Sequence, residues 1–86
     1  MISEKELTLI QDRANAASAG PWKAFIEGRD HTSGSHVIMT GTPQNRGEDL
    51  EIIGATTEDY DFIAHARQDI PKLIEDIKRL TKNLAK

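Results

Sequence analysis

Ser18-Ala19-Gly20-Pro21-Trp22-Lys23-Ala24-Phe25-Ile26-Glu27 decides the fold, because the spacing of apolar side chains changes within it. Before it, Leu7, Ile10, Ala14 and Ala17 recur three, four and three residues apart, as one face of a helix requires. After the change, Trp22, Ala24 and Ile26 alternate with Lys23, Phe25 and Glu27, the pattern of a strand with two distinct faces. Between the two, Gly20 predicts a left-handed helix cap and Pro21 forbids further helix.

Upstream, Ser3-Glu4-Lys5-Glu6 has the S-x-x-E form of a capping box. The Ser3 hydroxyl is expected to accept from the Glu6 amide, and the Glu6 side chain to reach back to the Ser3 N–H. Downstream, residues 28–35 are rich in Gly, Ser, Thr and Asp and read as a loop. A second short strand is expected over 36–40, around Val37-Ile38-Met39. Residues 41–49, with Pro43, Asn45 and Gly47, read as another loop, and 50–55 as a third strand interrupted by Glu51. Short connections between successive strands favour an antiparallel meander, since parallel strands need long crossovers.

Thr57-Glu58-Asp59 opens a helix with acids in its first turn, where the helix dipole favours them. The spacing predicts a short helix over 60–68 that buries Phe62, Ile63 and Ala66. Asp69-Ile70-Pro71 reads as a break and restart, with Asp69 as N-cap and Pro71 in the tolerant first turn. A last helix over 70–84 carries Ile70, Leu73, Ile77, Leu80 and Leu84, widened by Ile74. The expected order is α-β-β-β-α-α. This is an α+β fold whose three-stranded antiparallel sheet is packed by an N-terminal helix and two C-terminal helices. The first and last helices would cover one sheet face and leave the other partly open.

Eighty-six residues furnish one hydrophobic core, so residues 1–86 read as a single domain. With 37% hydrophobic and 29% charged residues, the composition is that of a globular chain. No cysteine is present, which removes disulfides, thiolate zinc sites and a Cys nucleophile, and favours a reducing compartment. Met1-Ile2-Ser3-Glu4-Lys5-Glu6 is charged at once and has no signal-peptide pattern, so a cytoplasmic location is expected. A net charge of −3 argues against general nucleic-acid binding; Lys78, Arg79, Lys82 and Lys86 are the only concentration of base.

Four constellations invite a functional reading. His31 and His36, beside Asp30, would hold a metal ion if a hairpin brought them together, although zinc needs a third ligand that the spacing does not supply. Without one they are polar loop residues, and no metal or other cofactor is expected. Asp61 and His65 share a helix face at i, i+4, next to Asp59, so a carboxylate-oriented base is conceivable and a hydrogen bond between them is expected. No nucleophile accompanies them, and helix-start acids serve as caps, so no catalytic residue is assigned. Arg29, Arg46 and Arg67 with Trp22 would suit a nucleotide-like ligand if the loops folded over the sheet; otherwise they are solvated surface cations. Finally, Ile77, Leu80 and Leu84 lie near the chain end, where a monomer has little left to cover them. Pairing with the same helix of a second copy, as a homodimer, would hide them.

Two segments also match a known pattern. The run from Ile10 to Trp22, Ile-Gln-Asp-Arg-Ala-Asn-Ala-Ala-Ser-Ala-Gly-Pro-Trp, resembles the R-A-x-A-A-T-P-G-P-W opening of many short phage and prophage proteins. The run from Asp59 to Ile74 resembles their closing D-A-x-F-I-A-x-A-R-x-D-V-P-x-L-L segment. In both segments the chain resembles the Ead-like early proteins of lambdoid phages and their counterparts in Gram-positive prophages. Ser18-Ala19 stands where Thr-Pro is usual, Tyr60 where Ala is common, and the central strands are unmatched. The resemblance implies a mobile-element origin and a shared fold. It brings no mechanism and no residue roles.

Together these readings give a non-enzymatic phage or prophage accessory protein that binds a host macromolecule, a protein. A sequestering protein for a small nucleotide-like signal is the alternative, and a small hydrolase using His65 and Asp61 a distant third. No membrane partner is expected.

Overall fold

A computed structural model of the chain describes residues 1–84; Lys86, the last of the basic cluster, lies outside them. The elements are α1 (Glu4–Ala16), β1 (Trp22–Phe25), β2 (Val37–Thr42), β3 (Asn45–Arg46) and α2 (Thr57–Leu84). The three strands form one antiparallel sheet in the order β1-β2-β3, so the fold is α+β.

Ser3 caps α1 as its sequence requires, its Oγ accepting from the Glu6 N–H at 3.1 Å. Glu6 does not reach back to the Ser3 amide; its carboxylate lies 3.4 Å from the Ser3 hydroxyl, which donates to it. The helix stops at Ala16, and the cap residue Ala17 is extended. Gly20 is therefore not the expected left-handed cap: its φ is not positive, and the Gly20–Pro21 peptide that leads into β1 is cis.

In β1 and β2 the alternation of the sequence becomes a two-faced ribbon. Ala24 lies opposite Ile38 and Trp22 opposite Thr40, and Ala24, Ile26, Ile38 and Thr40 are buried. With Tyr60 and Ala64 of α2 these apolar residues make the core, edged by Trp22, Leu50, Ile52, Ala55 and Ile63. Thr40 is the one buried polar residue among them, and its hydroxyl donates to the Glu48 carbonyl at 2.7 Å. Lys23, Phe25, Val37 and Met39 occupy the opposite face of the ribbon, and among the described residues no helix lies over it.

Three larger expectations are also corrected, and Phe62, expected in the core, is instead exposed. The third strand is not 50–55 but Asn45–Arg46, which folds back on Gly41 and Thr42 through the two-residue turn Pro43-Gln44. Leu50 keeps only an isolated bridge to Ile38, N–H to carbonyl at 2.8 Å in each direction. Beyond it the chain turns away so that Ile52 can meet Tyr60, whose hydroxyl accepts from the Ile52 N–H at 2.8 Å and donates to the Ile52 carbonyl at 3.2 Å.

Second, there is no break at Asp69-Ile70-Pro71. One 28-residue helix runs from Thr57 to Leu84 with Pro71 inside it, so two helices among the described residues replace the expected three. Pro71 deprives the Arg67 carbonyl of its helical partner. Continuity is held by packing, because Ile74 is buried and Pro71 lines a recess against Gln11, Ala14 and Asn15 of α1. Thr56 and Asp59 close the N-terminus as a reciprocal box: the Thr56 N–H donates to the Asp59 carboxylate at 3.0 Å and the Asp59 N–H to Thr56 Oγ1 at 3.1 Å.

Third, α1 packs along α2 and not on the sheet. Lys78 of α2 donates to the Gln11 side chain at 2.8 Å, and Leu7 and Thr8 border one hollow with Ile77 and Thr81, so the start of α1 lies beside the end of α2. Among the described residues only α2 covers the sheet, with the first half of its length. Among the described residues no helix is long and apolar enough to cross a membrane.

Candidate functional site

Trp22 stands where α1, β1 and α2 meet, and two hollows open on either side of it. A groove of about 430 Å³ between the helices is lined by Ile10, Ala14, Ala17, Phe62, Ile63, Ala66 and Ile70, with Arg13 and Arg67 among them. A recess of about 300 Å³ on the other side is lined by Lys23, Ala24, Arg29, Asp30, Asp61, Ala64 and His65.

Gln68 anchors this junction. Its side chain accepts from the Trp22 N–H at 2.8 Å and donates to the Trp22 carbonyl at 3.1 Å, so it occupies the free edge of β1 as a neighbouring strand would. The Ser18 carbonyl accepts from both Trp22 Nε1 and Arg67 Nε, each at 3.0 Å, and ties the α1–β1 connection to α2.

The four residues expected to bind a nucleotide-like ligand divide between these places. Trp22 borders both hollows, Arg29 only the recess and Arg67 only the groove, while Arg46 lines neither. Each guanidinium is already engaged. Arg29 donates through both terminal nitrogens to the two Asp61 oxygens at 2.9 Å, and through Nε to Asp30 at 3.0 Å. Arg46 pairs with Asp49 at 2.6 Å. The hydrogen bond from Arg29 is the chief cause holding the Asp61 carboxyl below its ordinary value of 3.8. For Asp30 the chief cause is the Ile26 N–H, which donates to it at 2.8 Å. The same carboxylates raise the Arg29 guanidinium above its ordinary range, Asp61 first.

Asp61 and His65 do share the helix face, but the expected hydrogen bond between them is not formed. Arg29 takes both carboxylate oxygens, and His65 is exposed at the rim. The two loop histidines are taken up by separate partners. His31 Nδ1 meets the Ser33 hydroxyl at 2.6 Å and its ring stands beside Phe25, whereas His36 Nδ1 accepts from the Glu27 N–H at 3.0 Å and its ring meets Tyr60 edge-on. Among the described residues no three His, Asp or Glu side chains gather where a metal ion would sit. In the expected dimer patch, Ile77 is half-buried while Leu80 and Leu84 stand exposed.

Sequence reasoning missed Gln68 and the Arg29–Asp61 fork, which join residues far apart in the chain with no local signal. The partly open face of the sheet was expected from the alternation at 22–27. Searches of family models, of curated proteins and of solved structures each found no match for this chain.

Proposed function

We propose that this chain is a non-enzymatic accessory protein of phage or prophage origin that binds a host protein through the open face of its sheet. One observation carries the reading: Phe25, Val37 and Met39 are half-buried side chains of a paired ribbon, and among the described residues no helix covers them. Lys23 lies over the Phe25 ring, 5.0 Å from its centre, and gives this apolar patch a cationic edge. An apolar centre with a charged margin is the common anatomy of a protein-binding surface. The two-segment resemblance supports the mobile-element origin.

The groups that would carry other functions have structural duties instead. A phosphate entering the recess would have to displace two carboxylates from Arg29, and one approaching Arg46 would have to displace Asp49. A hydrolytic base at His65 would lack its orienting carboxylate, since Asp61 is held elsewhere. Both facts favour a binding surface over a ligand pocket or a reaction centre.

The test is paired affinity capture from host lysate with the wild type and Met39→Glu. The introduced carboxylate would stand opposite Lys23 in the ribbon and gain a favourable cross-strand charge, so the fold is expected to survive, as far-ultraviolet circular dichroism would verify. A protein captured reproducibly by the wild type and lost with the variant is the expected outcome. No reproducible capture, or equal capture by both, would overturn the reading.

A further inference from the structure

The side of α2 turned away from the sheet carries a second apolar surface, separate from the sheet face. Tyr60, Ala64 and Gln68 face the sheet. On the opposite side stand Phe62, 76% exposed, Leu73 at 59%, Leu80 at 61% and Leu84 at 80%, with Ile70 and Ile77 more sheltered beside them. From Ile70 onward these positions alternate three and four residues apart, the spacing of a helix that packs along another helix. The row is about 33 Å long at 1.5 Å per residue.

The size of the uncovered surface says how much is missing. A compact monomer of 9.6 kDa exposes about 5,100 Å². This chain exposes 6474 Å², about 1,400 Å² more. A standard interface buries about 800 Å² on each partner, so the excess is more than one helix-packed interface needs. The radius of gyration, 15.8 Å against about 12 Å for a compact chain of this length, has the same origin in the protruding helical hairpin.

Charge along α2 selects the occupant and its direction. From Thr57 to Ile70 the helix has three acids that Arg29 does not hold, Glu58, Asp59 and Asp69, against one base, Arg67. From Pro71 to Leu84 it has four bases, Lys72, Lys78, Arg79 and Lys82, against two acids, Glu75 and Asp76. Laid antiparallel on itself, the helix sets its acidic half along the basic half of the other copy and opposes the two helix dipoles. A parallel pair would set like against like. We infer that a second copy of this chain covers the outer face of α2 in an antiparallel, two-fold dimer centred on Leu73, with Phe62 of each copy near Leu84 of the other. Leu73 lies midway between those two residues, so the two-fold axis brings it against its own counterpart. This arrangement extends the patch at Ile77, Leu80 and Leu84 through Leu73 to Phe62, gives it a register, and does not rest on the sheet-face reading.

The chain has no cysteine, so single cysteines report the geometry without background. Leu73→Cys, Phe62→Cys and Leu84→Cys are placed at exposed positions, and circular dichroism would verify that each variant folds. Under mild oxidation, Leu73→Cys is expected to convert mostly to a covalent dimer. Phe62→Cys and Leu84→Cys would each stay largely uncrosslinked alone and crosslink when mixed. Efficient self-crosslinking of Phe62→Cys and Leu84→Cys, without the mixed product, would establish a parallel pair and overturn the inference. No crosslinking above the level of Lys5→Cys, a control on α1, would overturn it as well.

Discussion

Gly28 and Gly41 have nearly the same backbone, with φ of 84° and 83°, but different surroundings. A Cβ on Gly28 would meet nothing within 4 Å, whereas one on Gly41 would collide with the Asn45 carbonyl across the β2–β3 turn. Gly28→Ala is expected to cost about 1 kcal/mol, the strain of a left-handed residue alone. Gly41→Ala carries the same strain and must also push the hairpin apart, so it is expected to cost about 3 kcal/mol or more. Urea unfolding of the two variants measures the difference. At the same scale, the Asp61 carboxyl is held below its ordinary value by Arg29. A depressed carboxyl stabilises the fold fully above the unfolded value of 3.8 and loses that contribution as pH falls through the lower folded value. The stability gap between wild type and Asp61→Asn is therefore expected to be constant near neutrality and to close below about pH 4. A gap that widens on acidification would contradict the assignment. Such details were only partly legible. Ser3 announced its cap through a four-residue pattern, whereas the fork from Arg29 to Asp61 depends on how β1 meets α2.

Pro71 is where local rules and tertiary packing disagree among the elements. Read alone, Asp69-Ile70-Pro71 is a good helix start, and that reading needs no packing partner. The structure instead runs α2 through it, because the apolar positions keep their phase on both sides and α1 lies across the join. The two descriptions predict opposite results for Pro71→Ala. In a continuous helix the new amide restores a bond to the Arg67 carbonyl, and stability is expected to rise by about 1 kcal/mol or more. At a first-turn position the same change would be neutral or slightly destabilising, because proline is preferred there. Thermal unfolding followed by circular dichroism decides between them. The third strand has a similar lesson. Leu50, Ile52 and Ala55 have the composition of a strand, and all three do border the core. Their backbone is spent on Ile38 and on the Tyr60 hydroxyl instead of a ladder, and the two-residue β3 arises from turn geometry at Pro43-Gln44.

At the scale of the whole molecule, the α+β class and the antiparallel sheet followed from the change of apolar period at Gly20–Trp22, since side-chain spacing determines which faces can be buried. The placement of α1 did not follow, because an alanine-rich helix face fits a sheet or another helix equally well. Its choice of α2 goes with an extent of 53 × 28 × 18 Å, an exposed outer face on α2, and a second sheet face over which no helix of the described residues lies. A chain of this size is expected to hide such surface against protein, its own copy on the helical side and a host partner on the sheet side. Sedimentation equilibrium over a range of concentrations tests this most directly. The account predicts a mass of about twice 9.6 kDa at micromolar concentration, falling to the single-chain value when Leu73 and Leu80 are both changed to Glu. A wild type that sediments as a single chain across the whole range would contradict it.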